Sequence, residues 1–187
     1  MRSDASPDRV SPEAQDGSQA GDQVAQAPPS PGTSKYSVDL RAEEKLWGGH
    51  AIRDHVGKTE AELIAEQEDN RVDTPVQGGV ISTYRLSESS YDSWESANDF
   101  VNRLLQGHTQ DVDKVASGEE PSLWIEKRFG SPTGIEAIPT QNGLKTRPTF
   151  NAGVFIVHDD RVPRGYRIQT AYPTNDDNSY PLRGNPF

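Results

Sequence analysis

The sequence predicts one α+β domain in which short N-terminal helices precede an antiparallel, twisted sheet. Helical spacing of apolar residues is confined to the first two thirds of the chain. Short β-type runs, separated by turns rich in Gly, Pro, Asn and Asp, fill the remainder, and this order is typical of an α+β domain. The chain contains no cysteine. The fold therefore has neither disulfides nor thiolate metal sites, and we expect packing alone to stabilise it.

The first part of the chain lacks the side chains that a core needs. Residues 1–38 are rich in Ser, Pro, Gly, Gln, Ala and Asp, and burial of such residues could not offset the entropy lost on ordering. We predict a disordered leader over 1–38 and one domain over 39–187. The start has no apolar signal segment and no run is long and apolar enough to cross a bilayer, so we expect no signal peptide and no membrane insertion.

Helices are predicted from apolar residues that recur at spacings of three and four. Gly48 and Gly49 interrupt the first helix, and Thr59 with Glu62 forms a capping-box pattern at the start of the third. The strongest apolar stripe precedes Gly107, a residue type that commonly follows a helix. The predicted helices are 40–47, 50–56, 60–68, 93–106 and a weaker one at 111–116.

Strands are predicted at 78–86, 122–129, 134–138, 153–158 and 165–173. The last one, Gly165-Tyr-Arg-Ile-Gln-Thr-Ala-Tyr-Pro173, has the clearest alternation. Tyr166, Ile168, Thr170 and Tyr172 would share one face of an extended chain. Because buried hydroxyls need partners, we predict that this face leaves the core and enters a polar cleft.

The charge of the chain argues against general nucleic-acid coating. Its formal net charge is −10, whereas proteins that coat nucleic acid are basic. Residues 121–187 nevertheless carry 8 basic and 6 acidic side chains, so a phosphate-binding surface is most easily assembled there. The alternative is that these cations lie on solvated strand edges and loops. The cations are Lys127, Arg128, Lys145, Arg147, Arg161, Arg164 and Arg167.

The sequence does not favour a metal or a cofactor. Four histidines are present, but His50 and His55 would lie about 140° apart on a helix and would not converge on one ion. The chain lacks Gly-x-Ser-x-Gly, a phosphate-binding Walker loop and Gly-x-Gly-x-x-Gly, which argues against the enzyme classes that carry these motifs. We expect no cofactor and no metal site.

The remaining candidates for chemistry are a histidine, whose ordinary pKa is near neutral, and the hydroxyls on a distant strand. Such a His can exchange a proton with a hydroxyl or a leaving oxygen, and Thr and Tyr hydroxyls can donate to a phosphoryl group. These groups could support metal-free RNA cleavage, in which a base activates the ribose 2′-hydroxyl. The alternative is that His55 is a surface or satisfied core residue and that Thr170 and Tyr172 are ordinary strand residues.

Two separated segments resemble one family. Gly48-Gly-His50 with His55-Val-Gly-Lys-Thr59, and Gly165-Tyr-Arg-Ile-Gln-Thr-Ala-Tyr-Pro173 far downstream, are similar to motifs of the RNase A-like toxin domains. These domains are found at the C-termini of bacterial contact-dependent inhibition proteins and other polymorphic toxins. The resemblance spans roughly residues 46–173. It implies a kidney-shaped RNase A-like fold without disulfides and metal-independent RNA degradation.

The resemblance also implies roles for particular residues. His55, Thr170 and Tyr172 match the catalytic positions of the family. His50, its second motif histidine, is the alternative base and a candidate for binding the substrate. As partners it implies an RNA substrate and a cognate immunity protein. It further implies a secreted or delivered toxin that acts in the cytoplasm of a target cell.

One position departs from the family pattern. The family's cation falls at Glu66, where a carboxylate would repel the scissile phosphate. Lys58 or Arg71 could supply the missing charge, and Arg167 lies in the second motif, so we predict substrate-binding roles for all three. The alternative is a catalytically weakened or inactive relative that binds RNA or an immunity-type protein.

Overall fold

Five helices and eight strands form the described part of the chain, which in the computed structural model comprises residues 35–84 and 87–176. The helices are α1 (Leu40–Trp47), α2 (Ala51–His55), α3 (Glu60–Asp69), α4 (Trp94–Gly107) and α5 (Thr109–Ala116). The strands are β1 (Arg71–Val76), β2 (Gly79–Tyr84), β3 (Ser89–Ser90), β4 (Ser122–Arg128), β5 (Gly134–Thr140), β6 (Gly143–Thr149), β7 (Asn151–His158) and β8 (Tyr166–Thr174).

The strands form two three-stranded sheets and a hairpin, and all their pairings are antiparallel. The sheet orders are β3-β5-β6 and β4-β7-β8, while β1 pairs with β2. The core lies between the β4-β7-β8 sheet and α4, and it includes Leu104, Leu105, Val154, Ile156 and Ile168. The predicted α+β class with N-terminal helices and antiparallel strands is therefore confirmed.

The helix boundaries follow from local capping chemistry. The side chain of Asp39 accepts hydrogen bonds from the first turn of α1, and Gly48 ends that helix at a φ of 74°, a left-handed conformation that favours glycine. The predicted capping box is confirmed, because Thr59 and Glu62 exchange hydrogen bonds at the start of α3. Local sequence is therefore sufficient to place both helices.

The packed part of the chain extends before the predicted boundary at residue 39. The Tyr36 hydroxyl donates to Asp113 at 2.9 Å, and Val38 is buried in the core. The Tyr166 hydroxyl donates to the carbonyl of Lys35 at 2.6 Å. Residues 35–38 therefore belong to the packed domain. The rest of the predicted leader, residues 1–34, and the end of the predicted domain, residues 177–187, lie outside the described residues.

Strand β8 contains a β-bulge where it pairs with β7. Phe155 lies opposite Thr170 and Ile156 lies opposite Ile168, so Gln169 is the extra residue. An extra residue in one strand reverses the alternation of its side chains from that point onward. Even-numbered residues of β8 therefore face the core before the bulge, and odd-numbered residues face it after the bulge.

The bulge corrects the predicted faces of β8. Tyr166 and Ile168 are buried in the core as predicted, but Ala171 joins them there and Thr170 and Tyr172 do not. The prediction that these four alternating residues share one face was wrong, because it assumed uninterrupted pairing. Thr170 and Tyr172 instead lie on the face of the sheet opposite the core.

The connection between α1 and α2 is attached to this bulge. The backbone N–H of His50 donates to the carbonyl of Gln169 at 3.1 Å. Buried Glu43, on α1, accepts the N–H of Ile168 at 3.0 Å and an N–H of Arg164 at 2.5 Å. β8 is the edge strand of its sheet, and α1 and His50 satisfy backbone groups next to the bulge.

Three strands were not predicted. The predicted strand at 78–86 is only the second arm of the β1–β2 hairpin, and β1, β3 and β6 were missed. β1 and β6 contain Pro75 and Pro148 beside charged residues, a composition that disfavours a strand assignment. β3 is only two residues long, too short for a pattern to show.

Gly49 tests the attachment of the helices to β8. A Cβ at this position would lie 2.7 Å from the carbonyl oxygen of Ile168, so Gly49→Ala forces the α1–α2 connection away from the strand. We expect the free energy of unfolding, measured by urea denaturation, to fall by about 1–3 kcal/mol. Gly79→Ala is the matched control, because a Cβ there meets nothing within 4 Å. Equal stability of the two variants would contradict this account.

Candidate active site

His55 is held by its backbone and by its ring. It is the last residue of α2, and its carbonyl accepts the N–H of Tyr91 at 2.9 Å. Its Nδ1 lies 3.3 Å from the carbonyl oxygen of Ser89. Gly57, at a φ of 73°, turns the chain after the helix and donates to the carbonyl of Tyr91 at 2.8 Å. The imidazole is therefore fixed between α2 and β3.

The hydrogen bond to Ser89 determines which ring nitrogen of His55 carries the proton. A carbonyl oxygen can only accept, so Nδ1 donates and Nε2 of the neutral ring keeps its lone pair. Burial is the main cause that lowers the pKa of His55 to about 4. The ring is therefore neutral at pH 7, and its Nε2 can accept a proton.

Tyr172 brings the last strand to His55. The centroids of the two rings lie 5.0 Å apart with an interplanar angle of 44°. Tyr172 also contacts Trp124, and the centroids of these two rings lie 4.7 Å apart. A side chain from the early helices and a side chain from β8 thus meet on the face of the β4-β7-β8 sheet opposite the core.

Trp124 is a site residue that the sequence analysis missed. Its Nε1 donates to Glu126 at 3.0 Å, and its ring lies over Gly153, where a Cβ would be 1.9 Å from the ring. Gly153 pairs directly with Tyr172. Gly153 in β7 therefore provides the space in which Trp124 supports Tyr172. This glycine could point to Trp124 from the sequence only if the strand register were known.

Thr170 lies on the same face of β8 as Tyr172. Its hydroxyl oxygen is buried and has no hydrogen-bond partner among the described residues. A buried hydroxyl without a partner costs about 1–3 kcal/mol. A role in binding or catalysis is one explanation for such a group.

His50 lies beside the bulge rather than against Tyr172. It precedes the first residue of α2, and its Nδ1 is 3.3 Å from the side-chain nitrogen of Gln169. The charge of His50 nevertheless contributes to the pKa of His55. The two motif histidines are therefore neighbours, each held by a different element.

Two of the predicted cations, Arg71 and Arg167, are paired with acceptors away from His55. Arg71 pairs with Glu68 at 2.6 Å and with Asp73 at 2.8 Å, both close to it in sequence. Arg167 contacts Asp159 at 3.4 Å and also donates to Gln169. Each guanidinium thus has acceptors within the protein. Most arginines of the predicted basic region are also paired with carboxylates, namely Arg128, Arg147, Arg161 and Arg164.

Glu66 binds Lys58. The Lys58 Nζ lies 2.5 Å from both carboxylate oxygens, and the backbone N–H of Lys58 donates to Ser90 Oγ at 3.0 Å. Burial, followed by the charge of Glu66, raises the pKa of nearby Glu88. Glu66 therefore neutralises the first cation that follows His55 in the sequence.

Two further properties concern the described residues only. In residues 35–84 and 87–176, no three His, Cys, Asp or Glu side chains are grouped so that they could hold a metal ion. No helix in these ranges is long and apolar enough to span a membrane.

Comparison with known proteins identifies the family. The profile of the family described as "Bacterial CdiA-CT RNAse A domain" matches residues 49–173. This range includes both motif histidines and nearly all of β8.

The chain belongs to this family.

A solved structure is also similar, a chain in the crystal structure of the CdiA-CT/CdiI complex from Y. kristensenii 33638. The sequence identity is 29% and the TM-score is 0.53, over 67% of the present chain and 99% of the other. No curated protein sequence matches. Together with the antiparallel sheets and the absence of cysteine, these findings confirm the RNase A-like fold and support a ribonuclease toxin domain of contact-dependent inhibition.

The lowered pKa of His55 predicts that stability depends on pH. In the unfolded chain His55 binds a proton near pH 6.5, whereas in the folded chain it does so only near pH 4. The folded state therefore loses stability as the pH falls from 6.5 to 4. We expect this residue to account for roughly 2 kcal/mol of the stability lost between pH 7 and pH 4.5. The measurement is urea denaturation at both pH values. His55→Gln should lack this component, and an identical pH dependence in the variant would contradict it.

Proposed function

We propose that this domain is a metal-independent endoribonuclease in which His55 accepts the proton of a ribose 2′-hydroxyl. The observation that carries the proposal is the contact between His55 and Tyr172, whose ring centroids lie 5.0 Å apart. The hydrogen bond of Nδ1 to Ser89 leaves the Nε2 lone pair available for this step. Attack of the 2′-oxygen on the adjacent phosphate then releases the 5′-oxygen of the next nucleotide.

The hydroxyls of β8 supply donors for the phosphate. Thr170 has a buried hydroxyl without a partner among the described residues, which supports a role in donating to a phosphoryl oxygen. Tyr172 lies against His55 and either protonates the leaving oxygen or stabilises the charge on the phosphate. Donors that are already oriented stabilise developing charge without reorganisation.

The four predicted substrate-binding residues, His50, Lys58, Arg71 and Arg167, are not equally available to a substrate. His50 is the best of the four candidates, because it neighbours His55. Lys58 contributes charge only to the extent that it separates from Glu66. Arg71 and Arg167 are weaker candidates, since each already has carboxylate partners.

The partner and the place of action follow from the similar proteins. The solved structure is a CdiA-CT/CdiI complex, which supports a cognate immunity protein for this domain. We infer that the immunity protein binds the face that carries His55 and Tyr172, and that the toxin acts on RNA in the cytoplasm of the cell that receives it.

A second function is favoured by Glu66. Its carboxylate holds Lys58 at 2.5 Å, and the resulting neutral pair weakens attraction for a phosphate. A domain with this pair could bind RNA or an immunity protein without cleaving. A cleavage assay distinguishes the two functions.

Replacement of His55 tests the enzyme. His55→Gln retains a side chain that can donate to Ser89 but cannot act as a base, so we expect RNA cleavage to fall by about 10²–10⁴-fold. The measurement is degradation of total RNA by purified protein, with and without EDTA. Cleavage by the wild-type protein should be unaffected by EDTA.

His108→Gln is the matched control, because the His108 ring bonds to a carbonyl of its own helix, that of Leu104, and not to the site. This variant should cleave RNA normally. Full activity of His55→Gln would refute the assigned base, loss of activity in EDTA would refute metal independence, and an inactive wild-type protein would favour the binding function.

Replacement of Glu66 tests the neutral pair. Glu66→Gln keeps the size of the side chain and releases the charge of Lys58, so we expect kcat/KM on RNA to rise by about 3- to 10-fold at low salt. The increase should shrink as salt is added. Glu62 lies on the same helix, but its carboxylate accepts the N–H of Thr59. Glu62→Gln is therefore the control and should give no such increase. Lower activity in Glu66→Gln would contradict this role.

A further inference from the structure

The four histidines do not use their ring nitrogens in the same way. In three of them Nδ1 faces a backbone carbonyl, that of Ser89 for His55, Leu104 for His108 and Val115 for His158. In His50 alone, Nδ1 faces a side-chain amide, that of Gln169, at 3.3 Å. The tautomer of His50 therefore depends on which end of this amide is turned towards it.

Arg167 determines the orientation of the Gln169 amide. A guanidinium has only donors, and an Arg167 nitrogen donates to Oε1 of Gln169. The amide oxygen is therefore directed at Arg167, and the amide nitrogen is directed at His50. Because that nitrogen can only donate, Nδ1 of His50 must accept.

Asp159 anchors Arg167. The Arg167 Nε lies 3.4 Å from Oδ2 of Asp159, and Arg161 donates to the same carboxylate at 2.6 and 2.8 Å. These hydrogen bonds from Arg161 are the main cause that lowers the pKa of Asp159 to about 2, so the carboxylate is ionised at neutral pH. The order of contacts is Asp159, Arg167, Gln169 and His50.

We propose that Gln169 is a positioning residue that fixes His50 as the neutral Nε2–H tautomer, opposite to the Nδ1–H tautomer of His55. The cleft would then contain a lone pair on Nε2 of His55 and an N–H donor on Nε2 of His50. The contacts of these two rings with Ser89 and Gln169 both use Nδ1. This inference rests on the proposed ribonuclease function, in which His55 accepts the 2′-hydroxyl proton, and it adds a donor to the phosphate on Nε2 of His50.

The inference gives Arg167 a different role from the one predicted. Its guanidinium is directed at Asp159 and Gln169, and the side chain is one-fifth exposed, at 20%. A residue that holds the amide in one orientation acts on the substrate only through His50.

The ring nitrogens can be observed directly by NMR. Two-bond and three-bond ¹⁵N–¹H correlation spectra of ¹⁵N-labelled protein at pH 7 distinguish the two tautomers from each other and from the charged ring. We expect Nε2–H for His50 and Nδ1–H for both His55 and His108, which serve as internal references. A proton on Nδ1 of His50 would overturn the proposal.

Gln169→Glu provides the decisive variant. The new carboxylate still accepts from Arg167, but towards His50 it offers an acceptor, so Nδ1 of His50 should become protonated. Arg167→Met releases the amide and should give a mixture of tautomers. Arg161→Met is the matched control, because Arg161 shares Asp159 but does not reach Gln169, and it should leave His50 as in the wild type. An unchanged His50 tautomer in Gln169→Glu would overturn the proposal.

RNA cleavage by the same variants separates this inference from the proposed function. We expect Gln169→Glu to lower kcat/KM by about 10- to 100-fold and to alter its pH profile, with the His55 tautomer unchanged. If the wild-type protein shows the expected tautomers but cleaves no RNA, the ribonuclease function fails while the assignment of Gln169 as the residue that orients His50 stands. If cleavage occurs and Gln169→Glu cleaves as well as the wild type, the positioning role fails.

Discussion

The candidate site depends on one contact, the attachment of the α1–α2 connection to the bulge of β8. Gly49 approaches the carbonyl of Ile168 so closely that no side chain fits, and Glu43 accepts the N–H of the same residue. This contact fixes α2 relative to the sheet, and α2 in turn fixes His55. The bulge also turns Thr170 and Tyr172 away from the core. One irregularity in one strand therefore determines both sides of the cleft.

Among the described residues, local sequence was sufficient for the five helices and for five of the eight strands, but not for the faces that the strands present. The capping box of Thr59 and Glu62 and the end of the first helix at Gly48 are local signals, and both predictions were confirmed. The bulge is stabilised by Glu43, which lies 125 residues away from Ile168, and no pattern within β8 shows it. The polar cleft expected around the hydroxyls of Thr170 and Tyr172 stays a prediction, but the assumed alternation along the strand was wrong.

The candidate site was predictable to the extent that its residues occur in motifs. His55 and Tyr172 were selected from the two motifs and lie in contact. Trp124 was missed because its importance depends on Gly153 of the neighbouring strand. The cations were selected by charge alone, and charge does not show that Arg71 and Arg167 have carboxylate partners. Side-chain partners across elements are therefore what the sequence analysis could not supply.

The distance along the chain between the two halves of the cleft has a consequence for the cell that makes this protein. His50 and Gln169 are separated by 119 residues, and ribosomes deliver β8 after nearly all the rest of the domain. A nascent or truncated chain that ends before β8 lacks Thr170 and Tyr172, and the contacts that hold the early helices are also missing. A chain that ends before β8 would therefore lack the candidate site, because the site forms only after the two ends of the domain have met.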